Sequence, residues 1–402
     1  MSIVASSLGR ITASPTRAIA ARAAQLEREG RDIIALAAGE PDFDTPQHIR
    51  DAAVAAMNQG KTKYAPQGGL PELREAVCRK FKRENGLEFS PVQTLVTTGG
   101  KEALYLAMMA SLDPGDEVVI PAPYWVSYPD MVRLAGGTAA IVDSDPARGF
   151  ALAPEALAAA ITPRTKWLIL NNPGNPTGAL IDAAGLRAIA QVLREHPQVW
   201  IMSDDIYEHV LYDGASYHTI AQVAPDLAER TLTVNGLSKA YCMTGWRIGF
   251  AAGPRLLIDA MTKVQSQSTS CACTISQWAG VAALDGDQSF IARHNAIFQE
   301  RRDLGLSILN QSNGLRCATP GGAFYLYVDC RGVLGKRTPQ GKRLANDEDF
   351  VTYLLDSQGV AAVHGAAFGM SPFFRISYAL ATEQLEDACT RIQRACGELE
   401  AA

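Results

Sequence analysis

"KWLILNNPGNPTGAL", residues 166–180, opens with an uninterrupted apolar run and ends in a loop of three asparagines, two prolines and two glycines. Trp167 to Leu170 show no alternation of apolar and polar residues, which is the pattern of a strand covered on both faces. The run stops where Asn171 and Asn172 begin. Asn175, held between Gly174 and Pro176, is biased toward extended backbone because the proline ring crowds the helical conformation. One reading is a turn whose asparagines bond their own backbone. The other is a rigid strand-end loop that aims an amide at a ligand's phenolate or carboxylate oxygen.

The same alternation, a short apolar run and then a helix, recurs on either side without any repeat of sequence. "TLVTT" (94–98) leads into a helix from Gly100. "EVVIP" (117–121) leads into "YWVSYPDMVRLAG", and "KWLILNN" into a helix over 183–194. "VWIMSDD" (199–205), "TLTVNG" (231–236) and "IGFAAG" (248–253) follow. Strands alternating with helices predict an α/β fold with a mostly parallel sheet covered by helices, and such sheets bind ligands outside the carboxyl ends of their strands. After a helical stretch at 287–310 the pattern changes. "GAFYLYVDC" (322–330), "VAAVHG" (360–365) and "FFRISYAL" (373–380) read as strands, with helices at 347–357 and 382–398, which predicts a smaller α+β unit.

Composition narrows the function. The 402 residues carry a net charge of −5 and are 47% hydrophobic, so neither a basic nucleic-acid surface nor a membrane footprint is expected. No apolar run approaches the roughly 20 residues that span a bilayer. The N-terminal "MSIVASSLGRITASPTRAIAARA" is basic and acid-poor, as transit peptides are. The reading taken is an arm followed by a helix over 16–29, in a cytoplasmic protein. The eight cysteines and six histidines are dispersed. Cys271 and Cys273 fit neither zinc spacing nor a disulfide framework, so no metal is expected and reduced thiols are.

Four further clusters sit at predicted strand ends. In "TTGGKEAL" (97–104), Gly99 and Gly100 precede a helix whose free N–H groups suit a phosphate, and Lys101 adds a charge; the alternative is an ordinary turn. In "MSDDIYEHV" (202–210), Asp204 ends a buried strand and needs a cationic partner, unless it or Asp205 caps a helix; Tyr207 brings a phenol nearby. In "NGLSKAYCMTGWRIGF" (235–250), Lys239 and Arg247 stand among small and aromatic residues. A surface lysine is the usual case, but a desolvated one titrates low and can bond covalently to a carbonyl carbon. Ala240 replaces the closing glycine of a nucleophile elbow, so Ser238 does not signal a hydrolase. In "SPFFRISYAL" (371–380), Arg375 alternates away from Phe374 and Ile376 and offers a fork for a carboxylate, or for a helix salt bridge.

Taken together, these motifs resemble the class I, aspartate-type aminotransferases that use pyridoxal 5′-phosphate (PLP), most closely their bacterial branch. "AAGEPDFDTP" (37–46), "GKTKYAPQGGLPELREAV" (60–77), "PYWVSYPDMV" (123–132), "NNPGNPTG", "SDDIYEH", "SKAYCMTGWRIG" and "FFRISYA" match in order. The resemblance implies the fold type I architecture, with residues 48–300 as the large PLP-binding domain. Residues 1–47 and 301–402 would form the N-terminal arm and small domain. It implies a homodimer with shared active sites, and an amino acid (aspartate or an aromatic one) and a 2-oxo acid such as 2-oxoglutarate as substrates in a ping-pong reaction.

Carried over by position, Lys239 would hold PLP as a Schiff base and move the proton at Cα. Asp204 would pair with the pyridine nitrogen, and Tyr207 and Asn175 would bond the phenolic oxygen. Trp125 would stack on the ring. Gly99, Gly100, Lys101, Ser238 and Arg247 would hold the phosphate, with Tyr64 reaching in from the other subunit. Arg375 would clamp the α-carboxylate, with Asn175, Trp125 and the Gly39 backbone beside it.

Three departures stand out. Gly236 replaces a phosphate-binding serine common in the family, Asp205 a usual glutamate, and His364 a usual proline; His364 either touches the substrate entrance or is a loop variant, the reading taken. Ser14 and Thr16 are candidates for closing over the substrate side chain. A lyase or synthase on the same scaffold is the rival reading.

Overall fold

The computed structural model of the protein describes residues 3–401. Seven strands form a central sheet: β1 (Thr94–Thr97), β2 (Glu117–Ala122), β3 (Thr138–Asp143), β4 (Thr165–Asn171), β5 (Trp200–Asp204), β6 (Thr231–Gly236) and β7 (Gly249–Ala252). Their spatial order is β1-β7-β6-β5-β4-β2-β3. β7 is antiparallel to both neighbours, and all other pairings are parallel.

β4 shows why. Trp167, Leu168, Ile169 and Leu170 are each at most 3% exposed, so both faces of the strand are covered. Trp167 and Ile169 pack into one core with Leu104 and Met108 of the helix Gly100–Ser111. Leu168 and Leu170 pack into another with Leu186, Ile189 and Leu193 of the helix Ala183–Arg194. Asp182 starts that second helix by accepting the Gly185 N–H at 2.8 Å, satisfying one of the donors a helix end leaves free.

A second, antiparallel sheet is built from β8 (Arg316–Cys317), β9 (Tyr325–Asp329), β10 (Val363–His364) and β11 (Phe373–Ser377), in the order β10-β11-β9-β8. The single strand expected over 360–365 is divided. Val360–Ala361 pairs in parallel with Ile34–Ala35, whereas Val363–His364 pairs with β11. Ala362 lies at the crossing. The helix Pro15–Arg28 packs Ala23 and Leu26 against Leu355 and Ala361, so the N-terminal segment lies on the C-terminal elements. No helix among the described residues is long and apolar enough to cross a membrane.

The topology gathers the predicted clusters. The parallel strands β1, β2, β4, β5 and β6 all end on one edge of the sheet. Antiparallel β7 begins there, which brings Arg247, just before it, to the same edge.

Candidate active site

A cavity of about 370 Å³ opens at that edge. Its wall includes Gly100, Lys101 and Trp125 from the first two strand ends, Asn171 and Asn175 from the third, and Asp204 and Tyr207 from the fourth. Ser238, Lys239 and Arg247 come from the segment between β6 and β7, and Arg375 from the antiparallel sheet. Gly39 reaches it from the N-terminal segment, as do Ser14 and Thr16. Gly99 stands just behind, and Tyr64 is outside the cavity, 93% exposed. His364 is not part of the wall. It continues β10, and its Nδ1 is buried without a hydrogen-bond partner.

One end of the cavity is built for an anion. Gly99, at φ 81°, is the N-cap of the helix Gly100–Ser111, so the first helical N–H groups have no carbonyl within their own helix. A Cβ at Gly99 would collide with the Arg247 guanidinium. Arg247 donates to the carbonyls of Thr244 (2.9 Å) and Thr98 (3.4 Å), with no carboxylate on it among the described residues. Its backbone sits at φ 56°, a left-handed conformation that a non-glycine residue adopts at some expense and that clusters at functional sites. Lys101 Nζ lies 4.6 Å from the centre of the Trp125 ring. Burial, with Arg17 and Arg247 nearby, lowers its pKa. Gly236 is packed against β7, where an added Cβ would lie 3.0 Å from the Ile248 carbonyl oxygen and 3.2 Å from Gly249 Cα. A serine there would need that backbone to give by a few tenths of an ångström.

Asp204 forms the deep wall. Its Oδ2 accepts the Tyr128 hydroxyl at 2.6 Å, and burial pushes its pKa up to about 6 against the pull of that bond and of Lys239. No helix follows it, so the capping role is not realised by Asp204 or Asp205. Asp205 is fully buried, accepts from Ser203 Oγ at 2.6 Å, and is driven to a pKa of about 7 by desolvation and by Glu208.

Lys239 stands between the two ends. Its Nζ donates to the Gly39 carbonyl at 2.6 Å. Desolvation first, then the positive charges of Arg375 and Arg247, bring its pKa down to about 8. A lysine so placed loses its proton far more readily than an ordinary one, and the neutral form is the nucleophilic one.

Arg375 is 3% exposed. It donates from Nη1 to Asn175 Oδ1 (2.9 Å) and from Nη2 to the Ala37 carbonyl (2.6 Å), while Nε has no partner. The expected alternative, a salt bridge to a helix, is absent among the described residues. Tyr325 and Phe368 place their rings 4.5 and 4.9 Å from its guanidinium carbon. A buried cation with aromatic neighbours, neutral acceptors and N–H groups to spare is a receptor for a carboxylate supplied from outside.

Several wall residues escape a reading of the sequence alone. Tyr128 was visible only as part of a motif, and Tyr325 only as a strand residue. Arg17 and Glu40 also line the cavity; Glu40 was visible only as part of a motif, and nothing in the local sequence marks Arg17.

Comparison with known proteins decides the family. Residues 31–392 match the profile described as aminotransferase class I and II. The chain is 56% identical over 399 residues to an aspartate/prephenate aminotransferase of Cereibacter sphaeroides, covering 99% of this chain and 100% of that one. This chain belongs to the class I and II aminotransferases. A crystal structure of the aspartate aminotransferase from Rhizobium meliloti superposes with a TM-score of 0.97 at 53% identity, covering all of both chains. The aspartate aminotransferase of Thermus thermophilus with maleate gives 0.91 at 45% identity, over 98% and 100%. The family transfers amino groups between amino acids and 2-oxo acids and uses PLP. The cavity suits that cofactor chemically, with a helix start and Arg247 at one end, a buried carboxylate at the other and a lysine of lowered pKa between them.

Proposed function

We propose that this cavity transaminates aspartate, with 2-oxoglutarate as the amino acceptor. The observation that carries the reading is the pair Lys239 and Arg375: a partly neutral amine beside a buried, carboxylate-free guanidinium. Bound PLP supplies an electron sink for the bond broken at the substrate's Cα. The helix start at Gly99–Gly100, Ser238 and Arg247 hold its phosphate, with Lys101 adding positive charge at that end. Asp204 pairs with the ring nitrogen, and its raised pKa falls once a cation sits against it. Tyr128 fixes the orientation of that carboxylate. Trp125 would cover the ring, and Tyr207 and Asn175 would hold its phenolic oxygen. Arg375 fixes the substrate's α-carboxylate, and Lys239 takes and returns the proton at Cα.

The side-chain end of the substrate faces Ser14, Thr16 and Arg17, which line the cavity together. Arg17 gives that wall a positive charge, which favours a second carboxylate and hence aspartate over an aromatic donor. The relative named aspartate/prephenate aminotransferase supports prephenate, also a dicarboxylate, as a second acceptor. The exposed Tyr64 supports a homodimer in which it reaches the partner's cavity. Residues 48–300 are proposed as the large domain, and residues 1–47 with 301–402 as arm and small domain, the helix Ser289–Leu309 running between them.

The test is a panel of amino donors with 2-oxoglutarate and prephenate as acceptors, ranked by kcat/KM. Aspartate is expected to lead. Donor alone should convert the bound cofactor to its aminated form, which a lyase need not do. Lys239→Ala should remove the Schiff-base band and lower turnover by about 10²–10⁴-fold. Full turnover in that variant would sink the assignment.

A further inference from the structure

The Tyr325 hydroxyl lies where three parts of the site meet, and the reaction as described leaves it without a role. It is 2.6 Å from the Tyr207 hydroxyl, and both groups are buried. A Cβ at Gly39 would collide with it, so it also supports the backbone whose carbonyl receives the Lys239 amine. The Arg375 guanidinium sits over its ring at 4.5 Å. Among the described residues, Tyr207 is its sole hydrogen-bond partner.

Two hydroxyls 2.6 Å apart share one hydrogen bond, and the direction of that bond decides what the second proton can do. Burial raises the pKa of both hydroxyls and Arg375 opposes that on both, while Asp204 adds to it on Tyr207 alone. The other charged group near the pair is Lys239, 5.8 Å from the centre of the Tyr207 ring. Tyr325 is therefore the better donor and Tyr207 the better acceptor. Donation from Tyr325 leaves the Tyr207 proton free for a third atom. A hydrogen-bonded chain in a dry cavity polarises along its length, so accepting one bond makes Tyr207 a stronger donor in the next.

We infer that Tyr325 is a positioning residue for the cofactor: its hydroxyl donates to Tyr207 and so directs the Tyr207 proton to the phenolic oxygen of PLP. This rests on the reading of the cavity as a PLP site. Stronger donation to that oxygen favours its ionised form and lowers the pKa at which the cofactor's near-visible band titrates.

The experiment is a spectroscopic pH titration of the PLP-loaded enzyme. Tyr325→Phe keeps the ring, its packing and its contact with Arg375, and removes only the hydroxyl. The band's pKa is expected to rise by about half a unit, the scale of one neutral hydrogen bond. Tyr207→Phe should raise it further, and adding Tyr325→Phe to Tyr207→Phe should change nothing more. Fluorotyrosine at position 325, more acidic but nearly the same shape, should shift the pKa down. This second substitution keeps the inference testable if the phenylalanine variant folds poorly. An unchanged titration in Tyr325→Phe overturns the inference, as does an equal shift in the Tyr207→Phe background. Absence of any near-visible band in the PLP-treated wild type would instead sink the cofactor reading beneath it.

Discussion

Two charge clusters flank the segment 204–209, and they are built on opposite rules. On one side Lys80 is buried and fully engaged. It pairs with Glu208, lies 3.5 Å from Glu84 and donates to Asn85 Oδ1 at 2.7 Å. Asn235 donates to the same Glu208 oxygen that Lys80 meets, Asn85 donates to the other, and His209 Nε2 meets Glu84 at 2.9 Å. On the other side Arg375 and Lys239 meet carbonyl and amide oxygens, with no carboxylate bonded to either. The first cluster is complete and holds structure. The second is left short of negative charge, and that deficit is what a cofactor phosphate and a substrate carboxylate supply. Burial alone does not mark a functional charge; burial without a counter-charge does.

The largest expected effect breaks the complete cluster. Lys80→Met leaves two carboxylates near each other without their buried cation and should cost about 3–5 kcal/mol of stability in urea unfolding. If stability is unchanged, the cluster is not structural. Arg375→Met should behave in the reverse way. It should lower kcat/KM by the equivalent of about 2–4 kcal/mol, while the PLP-free protein unfolds at the same urea concentration or a higher one. A comparable loss of stability in that variant would erase the contrast.

Acid provides the third test. His209 and the positive charge of Lys80 hold Glu84 down to a pKa of about 2 despite partial burial. Its contribution is present above the ordinary carboxylate range and is lost as pH falls through about 2. Glu84→Gln should flatten the acid limb of stability by about 2–3 kcal/mol. The smallest effect belongs to Asp205, which lies between the clusters. Its folded pKa of about 7 exceeds the ordinary value, so the stability it lends as an acid is present below about 4 and declines as pH rises through 7. Asp205→Asn should therefore stabilise the protein by about 1–2 kcal/mol at pH 8 and by little at pH 4, read as melting temperatures at the two pH values.

Much of this was legible in the sequence, for identifiable reasons. The strand Thr231–Gly236 and the helix Ala183–Arg194 lie where expected because their apolar periodicity is strong and each ends on a turn or cap residue. Eleven of the residues assigned to the site by resemblance line one cavity. What stayed hidden depends on contacts distant in sequence. Tyr128 meets Asp204 across 76 residues and Tyr207 meets Tyr325 across 118, and no local pattern chooses Tyr325 from its aromatic neighbours Phe324 and Tyr327. The division of residues 360–364 between two sheets was hidden too, because one apolar run suits either partner equally. Arg17 reads as an ordinary polar residue on an amphipathic helix until the fold places that helix over the cavity.

The contact between Arg375 and the Ala37 carbonyl joins residues 338 positions apart. Ile34 and Val360 are paired across a similar span. At about 5–20 residues per second, a ribosome that has released Ala37 needs roughly 20–70 s more to deliver Arg375. Through that interval the nascent chain holds the helix start at Gly100, the asparagine loop and Lys239 in succession, yet lacks the carboxylate receptor. Activity therefore arrives late in synthesis, and a chain released early would carry most of a cofactor site with no means of gripping a substrate.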